Sequence, residues 1–108
     1  GIDVAKAHLD LDLPNPQHHI ANTPAAITAL LATQPPGTHL VCEATGGYEE
    51  SLVQAALQAQ MPISIVAPSR VRHYARAIGR LAKTDRIDAT VLSAFARAHP
   101  PRPYEATT

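Results

Sequence analysis

Hydrophobic positions follow two different rhythms along this chain. In residues 1–4 they alternate, with Ile2 and Val4 on one side and Asp3 on the other. Residues 7–13 repeat the alternation, Leu9, Leu11 and Leu13 opposing His8, Asp10 and Asp12. A period of two marks a strand with one buried face, so two such runs joined near Lys6 predict an antiparallel hairpin. Pro14-Asn15-Pro16 reads as a turn, and residues 17–21 return as a third strand. The rhythm then changes. Thr23-Pro24 sets an N-cap before a proline at the first helical position, and Ile27, Leu30 and Leu31 mark one face of a helix that stops before Pro35. Residues 39–44 form a short apolar run closed by Glu43, broken by Gly46-Gly47. Residues 48–60 predict a helix burying Leu52, Val53, Ala56 and Leu57, and residues 63–67 a second short buried strand. Residues 69–79 form a basic helix. Residues 84–98 predict a last one, with Thr84 as its N-cap and Ile87, Val91 and Phe95 at i, i+4 and i+8.

The resulting order is β-β-β-α-β-α-β-α-α. Three meandering strands followed by two reached through helical crossovers imply an α/β mixed sheet with helices packed on its faces. That order resembles a ribonuclease-H-like domain. At 108 residues the chain suits one compact core, assigned to residues 1–99, with the Pro-rich segment 100–108 read as a linker. No repeat or low-complexity tract interrupts it. The absence of an initiating Met ahead of a strand pattern suggests an excised domain.

Charge alters this picture by its distribution. Net charge is zero, but residues 1–69 hold Lys6 against Asp3, Asp10, Asp12, Glu43, Glu49 and Glu50. Residues 70–97 hold Arg70, Arg72, Arg76, Arg80, Lys83, Arg86 and Arg97 against Asp85 and Asp88. The single cysteine, Cys42, lies in an apolar run, which excludes an internal disulfide framework and favours a reducing, cytoplasmic setting. No apolar run approaches a membrane span. Six histidines show no zinc-ligand spacing, and Gly46-Gly47 lacks the lysine of a phosphate-binding loop.

Four carboxylates stand out. Asp3 interrupts a strand that should be well covered, where an unpaired carboxylate costs several kcal/mol. Glu43 closes a crossover strand at its carboxyl end, the edge at which open α/β sheets bind ligands. Asp85 and Asp88 lie three apart, on one face if helical. Each has a plain alternative: an arginine partner for Asp3, an ordinary strand-end acid for Glu43, a capping pair for the two aspartates. Together they form an all-oxygen set suited to Mg²⁺ or Mn²⁺. Two such ions about 3.5–4 Å apart can serve phosphoryl displacement. Arg72, Arg76 and Arg80 recur at i, i+4 and i+8, and Lys83 and Arg86 flank the acidic pair. These five read as phosphate contacts or as a solvated face.

Three blocks carry a resemblance: Gly1-Ile2-Asp3-Val4-Ala5-Lys6, Glu43-Ala44-Thr45-Gly46-Gly47-Tyr48, and residues 79–89 from Gly79-Arg80 to Asp88-Ala89. In this order they resemble the signature blocks of DEDD transposases of bacterial insertion sequences related to Piv-type DNA invertases, whose catalytic domain is similar to RuvC-like Holliday-junction resolvases. The resemblance implies that Asp3, Glu43, Asp85 and Asp88 are a catalytic tetrad binding Mg²⁺. It further implies a DNA substrate, a bridge RNA as guide, a homo-oligomer, and a nucleophilic serine in a separate C-terminal domain, without which this segment is expected to be inactive. Two alternatives remain open: a stand-alone resolvase or nuclease of the same fold, and a nucleic-acid-binding module with a structural ion.

Overall fold

The structure is a computed structural model describing residues 1–80 and 87–105. The nine elements among the described residues follow the predicted order. Strands β1 (Ile2–Val4), β2 (His8–Leu11) and β3 (His19–Ala21) precede helix α1 (Pro24–Ala32). Then come β4 (Leu40–Glu43), α2 (Glu50–Gln58), β5 (Ile63–Val66), α3 (Pro68–Ala77) and α4 (Ala89–Ala98). The sheet runs β3-β2-β1-β4-β5. β1, β2 and β3 pair antiparallel, while β4 lies parallel to β1 and β5 parallel to β4. This is a mixed sheet of ribonuclease-H-like topology.

Alternation along the strands assigns each face its helices. Ile2, Val4, Leu9, Leu11, Leu40, Cys42 and Ile63 pack with Ile27, Leu30 and Leu31 of α1 and Leu52, Val53, Ala55 and Ala56 of α2. The opposite face is covered by α3 and α4, where Val41 and Val66 meet Val71, Ala75, Ile87, Val91, Leu92 and Phe95. Asp3 and Asp10 alternate with buried neighbours of the first core, so they belong to this second face.

Helix boundaries depart from the sequence pattern in three places. α2 begins at Glu50 rather than at residue 48, because Gly46 and Gly47 (φ 82° and 132°) carry the chain through a turn that ends at the cap residue Glu49. α3 ends at Ala77, where Gly79 (φ 73°) closes it. The Arg80 amide donates to the Ala75 carbonyl (2.9 Å) and the Gly79 amide to that of Arg76 (3.0 Å), a Schellman turn. α4 begins at Ala89, not at residue 84, and its N-cap is Asp88; Thr84 lies outside the described residues.

The segment read as a linker is docked over residues 101–104. The Tyr104 amide donates to the Ile63 carbonyl (2.6 Å), and the buried Ser64 hydroxyl donates to the Arg102 carbonyl (2.7 Å). His39 Nε2 lies 2.7 Å from that hydroxyl and, with its proton already committed, acts as the donor. Burial lowers the pKa of His39.

Candidate active site

Strand register brings two of the candidate carboxylates, Asp3 and Glu43, together. Ile2 is aligned with Cys42 across the parallel β1–β4 pair, so the next residues, Asp3 and Glu43, stand side by side on the α4 face. Asp3 faces Asp10 across β1–β2, and Asp10 faces His19 across β2–β3. One row therefore crosses the sheet as Glu43, Asp3, Asp10 and His19. Directly opposed like charges destabilise a sheet, a tension that a cation between them would relieve. At the far end His19 Nδ1 lies 2.7 Å from Asp10 Oδ1, and its ring lies 4.7 Å from that of His8.

Glu43 is held at its strand end by a built turn. The Ala44 amide continues the ladder by donating to the Val66 carbonyl (3.1 Å). Glu49 Oε2 then accepts from the amides of Thr45 (3.3 Å) and Gly47 (3.2 Å) and from the Thr45 hydroxyl. Partial burial raises the Glu49 pKa, but the Thr45 hydroxyl and these amides outweigh it and hold the carboxyl below its ordinary range. The sequence gives Glu49 no role; its function here is to shape the turn.

Asp88 arrives from the other side. Its extended backbone (φ −113°, ψ 177°) places Oδ1 to accept from the Val91 amide (2.9 Å) and the Thr90 hydroxyl (2.7 Å). Desolvation raises its pKa, while Thr90, Val91 and the Arg80 guanidinium lower it further, and the net shift is downward. The first turn of α4 presses on the start of β1. A Cβ at Gly1 would lie 2.8 Å from Leu92 Cβ and from the Ser93 amide nitrogen, and closer still to the Ala89 carbonyl, so only glycine fits. Asp88 precedes Ala89, and Asp3 lies two strand residues beyond Gly1, a reach of about 7 Å.

Asp85, Lys83 and Arg86 lie outside the described residues. Among the described residues no group of three or more His, Cys, Asp or Glu side chains is placed to hold a metal ion. The arginine stripe is shorter than its spacing predicts. Arg72 and Arg76 stand one turn apart on α3, but the turn at Gly79 removes Arg80 from the helix. Arg80 Nη2 instead donates to Thr90 Oγ1 (3.4 Å), beside the Asp88 cap. A Gly just past a basic helix was the available sign of that break. Asp10 and His19 were not singled out from sequence, since cross-strand register cannot be read from alternation alone.

Cys42 precedes Glu43 on β4 and is buried on the α1 and α2 face. Desolvation, with the charges of Glu49 and Glu43, pushes its thiol up to about 12. It is a core side chain with no nucleophilic character at neutral pH. Among the described residues no helix is long and apolar enough to cross a membrane.

A family model for DEDD transposases of the IS110 type, described as transposase, matches residues 1–108. The pilin gene-inverting proteins of Moraxella lacunata and Moraxella bovis are each 41% identical to the chain over 64 residues. The match covers 58% of this chain and 20% of each relative, so it spans about a fifth of their length.

Proposed function

Because the chain belongs to the IS110-type DEDD transposase family, we propose that it is the metal-binding part of a recombinase acting on DNA phosphodiesters. The observation that carries this reading is the placement of Asp3 and Glu43 side by side on two parallel strands, on the face that α4 closes. Asp3, Glu43, Asp85 and Asp88 would hold Mg²⁺ or Mn²⁺. Bound there, such ions would stabilise the attacking and leaving oxygens of a phosphodiester displacement. The donor set fits a hard cation, being oxygen throughout.

The chain's own residues supply order and charge. The turn built on Glu49 fixes the strand end that bears Glu43. Asp88 accepts from the Val91 amide and the Thr90 hydroxyl through Oδ1, which holds its carboxylate in place at the start of α4. Arg80 lies against Thr90 and favours the ionised form of Asp88. Arg72 and Arg76, with Arg80, Lys83 and Arg86, neutralise DNA phosphates and carry no base information. Following the resemblance, a C-terminal domain of the parent protein supplies a nucleophilic serine, an RNA guides the reaction, and the protein works as a homo-oligomer.

Calorimetric titration with Mn²⁺ tests the metal site. Asp3→Asn should weaken binding by more than about tenfold; unchanged affinity would exclude the tetrad. Removing Arg76 should reduce the slope of log K against log[salt] for DNA by about one unit. Mg²⁺-dependent cleavage by the chain alone would instead favour a stand-alone nuclease.

A further inference from the structure

Tyr48 is a large aromatic residue left 50% exposed, and the backbone beneath it is unusually well fixed. The Asn22 side-chain amide donates both to the Tyr48 carbonyl (3.0 Å) and to the Ala5 carbonyl (2.8 Å). Orienting the amide in this way leaves Asn22 Oδ1 buried with no hydrogen-bond partner among the described residues. Such an arrangement persists only if holding the two carbonyls outweighs the unsatisfied oxygen. On either side of Tyr48, the Gly47 amide is tied to Glu49 Oε2, and the Glu50 amide donates to the Gly47 carbonyl (3.1 Å). Ala5 lies two residues beyond Asp3, and Tyr48 five beyond Glu43. The pedestal therefore joins the segments that follow both strands bearing the candidate carboxylates, and it carries the exposed Tyr48.

A rigid aromatic platform of this kind fits the face of a nucleobase. Resting on the proposed function, in which a DNA strand is brought to Asp3 and Glu43, we infer that Tyr48 stacks an unpaired base of that strand and sets its register over the carboxylates. A paired base cannot offer its face without leaving its neighbours, so the interaction selects single-stranded or locally opened DNA. Base stacking on an aromatic ring tolerates any sequence, which leaves specificity to another component.

The chain contains no tryptophan, so Tyr48→Trp places one fluorophore at the position in question. A short oligothymidylate should quench its emission, and a blunt duplex should quench it much less. Tyr48→Phe should bind the oligothymidylate as wild type does. Tyr48→Leu should bind it about 5- to 150-fold more weakly while keeping its duplex affinity and its circular dichroism spectrum. Because the pedestal engages backbone carbonyls, these substitutions leave it intact. Equal quenching by both probes, or unchanged oligothymidylate affinity in Tyr48→Leu, would overturn the inference. Mn²⁺ titration of the same variants separates it from the reading on which it rests. Quenching without metal binding would sink the metal-dependent function alone, and metal binding without quenching would sink the stacking role alone.

Discussion

The two faces of the sheet are built on opposite terms. On the α1 and α2 side every strand position that faces the helices is apolar, and Ile2, Leu9, Leu40 and Leu52 are wholly excluded from solvent. On the α3 and α4 side the apolar strand positions, Val41 and Val66, lie in the β4–β5 half together with the buried Ser64. The β1–β2 half carries Asp3 and Asp10, and Glu43 ends β4 beside them. One face stores the stability of the fold. The other gives up part of its burial so that carboxylates can stand next to one another, as binding sites commonly do.

The largest expected contrast is chemical. With its thiol pushed up to about 12, Cys42 should react with iodoacetamide more than about a thousandfold more slowly in the folded chain than in urea at neutral pH. Comparable rates would mean that the first face is open. Next, Leu52→Ala should cost about 2–5 kcal/mol in denaturant melts, since a fully buried side chain leaves a cavity. Asp88→Ala should cost about 1 kcal/mol through loss of the α4 cap, whereas Asp88→Asn, an equally good cap, should not. A large loss in Asp88→Asn would assign the carboxylate a structural charge contact instead.

The Asp88 cap also has a pH signature. Its folded pKa lies below the unfolded value, so the unfolded chain binds more protons as pH falls. The contribution is complete above about pH 5 and declines as the pH drops through the ordinary aspartate value of about 4 toward the folded one. Melts of wild type and Asp88→Ala should therefore converge in acid. Smallest of all, His19→Ala should change stability by no more than about 0.5 kcal/mol, because its pairing with Asp10 is solvent-exposed (59% and 51%). A larger effect would mean that the polar face is structural and not held open for a ligand.

Much of this was legible before any coordinates. Alternation and helical spacing gave the nine elements of the described residues in order, because each short strand carries its burial pattern in its own residues. Less legible were the points where one element's fate depends on another. Ile87 and Val91 share a helical spacing, yet the chain at Ile87 and Asp88 is not helical, because the Asp88 side chain caps at Val91 instead. The adjacency of Asp3 and Glu43 rests on the register of β1 with β4, which pairs residues 40 positions apart in sequence. Pro100-Pro101-Arg102-Pro103 has a linker's composition, but its carbonyls and the Tyr104 amide meet β5, a contact between distant segments to which local composition is blind.

That last contact changes how the molecule can meet copies of itself. An uncovered outer strand offers free amides and carbonyls to any passing chain and invites sheet-to-sheet growth. On the β5 side, residues 102–104 already occupy the Ile63 carbonyl and lie along Ser64. On the other side β3 is only three residues long and follows Pro14 and Pro16, which have no amide hydrogen to lend. Both margins of the sheet are thus poor templates for strand addition. A contact between copies of this chain would have to use side-chain surfaces, and the sheet itself is a poor seed for a fibril.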